Sequence, residues 1–101
     1  MPPRLKIQTM TATDQNNAPQ TRLGSAKRGY SGVIHHLDAN EVISALPAVE
    51  LESRLIELGF VEGARVEVLH EGIIGRDPIA VRIENVTVAV RRREAMAVVV
   101  V

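Results

Sequence analysis

The chain has 101 residues, enough for one domain and not for two. Twelve Lys plus Arg balance twelve Asp plus Glu, so no global field draws it to an acidic membrane, and nucleic acid is not an expected partner. Cysteine is absent, which excludes a disulfide framework, a thiolate zinc site and a cysteine nucleophile, and no apolar run approaches the roughly 18 residues of a membrane span.

Residues 1–22, "MPPRLKIQTMTATDQNNAPQTR", are rich in Thr, Gln, Asn and Pro and have no sustained apolar period. They cannot bury enough apolar surface to offset the entropy of ordering, so a disordered N-terminal tail is expected. The first residues are basic but lack the apolar core of a signal peptide, which argues against export; Met10 is an alternative start. From Leu23 the pattern changes. The apolar stretch Tyr30–Leu37 predicts a first strand, and "DANEVISALPAV" predicts a connector with a helical turn broken by Pro47.

"AVELESRLIELGF" predicts a helix over about residues 48–58. Leu51, Leu55 and Leu58 stand at i, i+4 and i+7 and share one face, while Glu52, Arg54 and Glu57 cover much of the rest. Gly59 is placed to end the helix in the left-handed region, with Phe60 folding back over Leu55. The remainder reads as β. "GARVEVLHE" turns Val66 and Val68 to one face, and "IAVRIE" turns Ile79, Val81 and Ile83 inward. "VTVAVRRR" does the same with Val86, Val88 and Val90, after a tight turn in which Asn85 tolerates positive φ. "AVVVV" predicts a closing strand buried on both faces.

Five short strands with one helix inserted after the first predict a mainly β domain over residues 23–101, a small SH3-like β-barrel. Closure would remove exposed edges, which matters for a chain whose only aromatics are Tyr30 and Phe60 and whose core must be aliphatic.

The segment Arg54–Ala95 then carries a family signature. A helix ending in "LIELGF", a "V-x-G-x-x-V-x-V" turn into the next strand, a "G-x-DPI-x-V" segment and a terminal "RRREA" follow in that order. With the weaker "G-x-x-G-x-I" match at Gly29, Gly32 and Ile34, the chain resembles the ferrous iron transport protein A (FeoA) family over about 70 residues. The resemblance implies an SH3-like barrel in the cytoplasm and no enzymatic activity. It also implies a partner, the FeoB-type ferrous iron permease, met at its cytosolic GTP-binding domain. The same fold ends iron-dependent repressors, for whose DNA-binding and dimerisation domains this chain has no room. Two departures concern loops. Arg76 makes the "GRDPI" loop one residue longer than the "GDPI" of many relatives, and the 38–49 connector is longer than usual.

No motif supports catalysis: there is no phosphate-cradling Gly-rich loop, no Ser–His–Asp arrangement and no HExxH. No cofactor is expected. Direct transition-metal binding, as a Fe²⁺ sensor or carrier, is the second function class, with His35, His36 and His70 as candidates and Asp38, Glu71 and Asp77 nearby in sequence. Neighbours on a strand point to opposite faces, so His35 and His36 are not expected to share one ion, and no metal site is assigned. A third class, a generic SH3-like adapter, meets the objection that ligand grooves for Pro-rich peptides are lined with aromatics. Arg91, Arg92 and Arg93 read as a solvated strand end with Glu94 as a local counter-charge, the other reading being contact with an acidic partner surface or, loosely, with phosphate.

In the loop "EGIIGRDPI" two apolar β-branched residues sit between glycines. Either the loop folds back, burying both isoleucines or plugging the barrel mouth with one of them, or a partly exposed tip faces a partner. The candidate partner-binding residues are Ile73, Ile74, Arg76 and Asp77.

Overall fold

A computed structural model describes residues 19–40 and 42–101. In chain order these form β1 (Thr21–Arg22), a 3₁₀ turn (Leu23–Ser25), β2 (Ser31–Leu37), α1 (Ala48–Leu58), β3 (Arg65–Glu71), β4 (Ile79–Ile83), β5 (Val86–Val90), α2 (Arg92–Ala95) and β6 (Val98–Val100). The strands make one antiparallel sheet in the order β1-β6-β2-β3-β4-β5, curled around an aliphatic core. The ladder does not close on itself, and β1 and β5 are its edges.

The domain starts two residues earlier than the change at Leu23 suggests. Thr21 and Arg22 pair with Val100 and Val99, a strand too short to leave a period in the sequence. The rest of the expected tail, through residue 18, lies outside the described residues, as does Met10. The helical turn expected in the 38–47 connector is absent among its described residues.

Helix α1 follows the expected stripe: Leu51 and Leu55 are buried and Leu58 packs at the core margin. It ends at Gly59, whose φ of 108° is one an L side chain rarely adopts. The Gly59 amide donates to Ile56 O at 2.9 Å and the Phe60 amide to Leu55 O at 3.0 Å, the paired closure that satisfies two orphan carbonyls. This turn swings Phe60 fully into the core. Strands β3 and β4 alternate as expected, with Val66, Val68, Ile79, Val81 and Ile83 inside, and β6 is buried at all three positions.

Three details of the last third differ from expectation. Val86 is 58% exposed, because β5 is an edge strand and its first residue lies at the hairpin turn, beyond the core. The positive φ in that turn belongs to Glu84 (53°). Two bonds hold it there: its amide donates to Arg65 O, and its Oε2 accepts from Arg65 N at 2.7 Å. Arg91–Arg93 is not a strand end: the strand stops at Val90, Arg91 precedes α2, and Arg92 opens that one-turn helix.

A surface ion pair fastens β1. Arg22 donates to Asp38 Oδ2 at 3.1 Å and to Met96 O at 3.1 Å, tying the strand to the end of β2 and to the turn before β6. The Arg22 hydrogen bond holds the Asp38 carboxyl below the usual carboxylate range against the upward push of desolvation, helped by the Asn40 amide and the charge of His36. A depressed pKa contributes stability that is present above the ordinary carboxylate value and lost as pH falls through the folded-state value. Acid denaturation of the native chain is therefore expected to show a low-pH loss that Asp38→Asn removes, and added salt should shrink the difference. Thermal melts taken from neutral pH down through the carboxylate range check this.

Candidate functional site

The loop between β3 and β4, residues 72–78, is the most distinctive surface of the domain. Its two arms meet at the base, where the Gly72 amide donates to Pro78 O at 2.9 Å. A Cβ at Gly72 would lie 2.2 Å from the Asp77 carbonyl oxygen, so only glycine allows this approach. At the tip Ile73 is 100% exposed and Ile74 is 89% exposed. Neither plugs the barrel mouth; both isoleucines project away from the core.

Exposure of this kind in a floppy loop would mean little, but the base of this loop is pinned by one side chain. Arg92 Nε donates to Arg76 O at 2.8 Å, and Arg92 Nη1 donates to Ala26 O at 2.6 Å and Gly24 O at 3.1 Å. Its Nη2 lies 3.6 Å from Glu71 Oε1. The planar guanidinium thus joins the loop to the 3₁₀ turn and to the end of β3. The Arg92 amide in turn donates to Asp77 Oδ1 at 2.9 Å, which starts α2. Glu71 completes the clamp, with Oε1 accepting from the Arg28 amide at 2.6 Å and Oε2 lying 3.8 Å from Arg76 Nε. Arg76 has φ 59°, an uncommon conformation for a residue with a Cβ, and its carbonyl is one of the groups Arg92 holds.

The four candidate partner-binding residues therefore divide. Ile73 and Ile74 form the tip, and Arg76, its side chain 72% exposed, stands beside it. Asp77 points inward and is occupied by the Arg92 amide. Both nearby acids are thus engaged, while Lys27, Arg28 and Arg76 border a shallow recess next to the loop. The surface around the apolar tip is cationic. Arg92 and Glu71 hold the base of the loop together, a pairing that sequence reasoning missed: Arg92 stood in a run read as solvated, and Glu71 was considered only as an acid near the histidines.

The residues considered for metal do not converge as a set. Asp38 is paired with Arg22, and Asp77 with the Arg92 amide. His70 lies on β3 beyond the first residue of β2, whereas His35 lies towards the other end of that strand. No group of three His, Cys, Asp or Glu side chains able to hold an ion occurs among the described residues. His35 and His36, however, lie side by side, contrary to the expectation from strand alternation.

No curated protein matches this sequence. Among solved structures, FeoA from Stenotrophomonas maltophilia, solved with zinc and described as a prokaryotic SH3 domain protein, is 30% identical. It aligns over 79% of this chain and 88% of its own length with a TM-score of 0.62. FeoA from Chlorobium tepidum is 32% identical, over 80% of this chain and 70% of its own, with a TM-score of 0.61. A manganese-dependent transcriptional repressor shares the fold at 22% identity and a TM-score of 0.64, this chain spanning 41% of it. The barrel is therefore SH3-like, as the strand pattern predicted. Residues 21–101, which hold the β1 pairing, the capped helix and the clamped loop, match the FeoA domain, and the chain belongs to the FeoA domain family.

Proposed function

We propose that this chain is a non-catalytic accessory protein of ferrous iron uptake that acts in the cytoplasm by docking on the cytosolic GTP-binding part of a FeoB-type permease. One observation carries the docking site: two adjacent isoleucines stand almost fully exposed on a loop whose base is clamped by Arg92, Glu71 and Asp77. Burying an isoleucine contributes about 1.5–3 kcal/mol, and a tip already held in place loses little entropy on docking. Family membership supports the iron-uptake setting, as does the S. maltophilia relative, which is proposed to be a bacterial ferrous iron transport activating factor. Regulation by contact requires that the tip bind one state of the permease more tightly than another. No helix among the described residues is long and apolar enough to cross a membrane.

The test is a binding titration against the isolated cytosolic domain of the permease. The double substitution Ile73→Ser, Ile74→Ser is expected to weaken binding by about 3 kcal/mol, roughly a hundredfold, while the melting temperature stays put because neither side chain touches the core. Equal affinity of the variant and the native chain would sink the docking site. Recovery of unrelated peptides with the same dependence on the tip would favour a general adapter instead.

A further inference from the structure

Two segments distant in the sequence supply the surface beside the isoleucine tip. Lys27 and Arg28 lie between the 3₁₀ turn and β2, and with Glu71 and Arg76 they line the recess next to the loop. This stretch is held in place by its own backbone. The Tyr30 amide donates to Lys27 O at 3.0 Å and the Gly29 amide to Val68 O at 2.8 Å. Gly29 has φ 94°, a left-handed conformation that a side chain would oppose. The Arg28 amide donates to Glu71 Oε1 at 2.6 Å, and Arg92 joins the carbonyls of Gly24 and Ala26 to that of Arg76. The clamp that fixes the tip therefore fixes Lys27 and Arg28 beside it.

The charge of this surface is one-sided. Lys27, Arg28 and Arg76 are exposed, and neither Lys27 nor the Arg28 guanidinium has an ion-pair partner among the described residues. Glu71, the acid of the recess, is shared among the Arg28 amide, Arg76 and Arg92, and its side chain is only 17% exposed. We infer that tip and recess form one docking surface for a protein face of matching chemistry. That face has an apolar hollow for Ile73 and Ile74 and an acidic rim opposite Lys27, Arg28 and Arg76. The inference rests on the docking role of the tip and adds the chemistry of the partner. Burial of the isoleucines supplies affinity, while rim charges set orientation and speed encounter. An anionic bilayer would offer the same two chemistries but fits this surface less well. Lipid-binding basic clusters hold roughly four to eight Lys or Arg, whereas three border this recess. Equal totals of acids and bases also give the chain no long-range pull towards a charged membrane.

Titrating the full chain against the isolated cytosolic domain of the permease, at low and at high sodium chloride, tests the surface. The double variant Lys27→Glu, Arg28→Glu is compared with Ile73→Ser, Ile74→Ser. Charge reversal is expected to weaken binding about tenfold at low salt through slower association, and the deficit should shrink as salt screens exposed charges. The serine pair should lose affinity by a factor that salt hardly changes. Melting temperatures should match the native chain, because both reversed side chains are exposed and only the Arg28 amide serves the clamp. Native affinity and native salt dependence after charge reversal, with the serine pair still weakened, would overturn the acidic rim and leave the tip standing. Native affinity in the serine pair, or no binding by the native chain, would overturn the docking site and the rim with it. Vesicles of phosphatidylserine and phosphatidylcholine form the second arm, and no capture is expected. Capture that both double variants abolish would assign the surface to lipid and overturn the protein partner.

Discussion

Phe60→Ala is expected to destabilise the domain by about 3–5 kcal/mol, read as a fall in the urea midpoint with an unchanged slope. Phe60 is the one fully buried aromatic, at 0% exposure, and belongs to the same core as Leu51, Leu55 and the inward residues of β3 and β4. Its backbone is fixed by the turn that ends α1, with the Phe60 amide bonded to Leu55 O. The cavity therefore cannot shrink by letting the chain relax, which places the cost towards the upper end of the range. A small domain has only about 5–15 kcal/mol in total, so the variant should be partly unfolded well below the native melting temperature. Phe60→Leu keeps an apolar side chain in the space and should restore most of the loss. A loss of stability of less than about 0.5 kcal/mol for Phe60→Ala would contradict the core described above.

Arg92→Ala is expected to cost about 2–4 kcal/mol and, in addition, to release the loop that carries the isoleucines. The guanidinium, with the side chain only 20% exposed, satisfies carbonyls at Gly24, Ala26 and Arg76 and lies against Glu71. Removing it leaves the partly buried carbonyls of Gly24 and Ala26 without that donor, and desolvated acceptors are expensive to leave unpaired, whereas the exposed Arg76 carbonyl can turn to water. Arg92→Lys should recover only part, since an ammonium is a point charge and cannot span acceptors set by a planar fork. Two readouts separate stability from positioning: the melting temperature, and hydrogen exchange at the Gly72 amide, which bonds Pro78 O at the base of the loop. Exchange at Gly72 should accelerate by more than the global loss of stability accounts for. Equal acceleration across the whole sheet would show Arg92 to be a general stabiliser with no particular hold on the loop.

The parts of this fold legible in the sequence are those set by local rules. Leu51, Leu55 and Leu58 announce a helix by their spacing, Gly59 announces its end, and the inward sets of β3 and β4 follow from alternation. The parts that were hidden depend on partners far along the chain. Arg92 draws its acceptors from positions 16 to 68 residues away, so nothing beside it marks it out from Arg91 and Arg93. Val86 obeys alternation but lies on an edge strand, and edge position is a property of the assembled sheet. The meeting of His35 with His36 rests on a shift of register against β6, invisible to any rule that treats a strand as uniform. For the loop, the sequence posed the choice for Ile73 and Ile74, and the direction came from the clamp beneath them.

The position of β6 has a consequence for how the chain is made. Val98–Val100 lies between β1 and β2, and Val100 pairs with Thr21, which precedes it by 79 positions (100 − 21). While the ribosome still holds residues 98–100, β1 and one edge of β2 have no strand to pair with. The β2–β5 ladder can form earlier, but the sheet is completed only by a contact of very large sequence separation. Topologies dominated by such contacts fold slowly, on the order of milliseconds to seconds, because the loop must close before any pairing rewards it. During that interval the unpaired side of β2 is open to other chains, which makes the time before β6 docks, rather than the finished fold, the time of greatest exposure to aggregation.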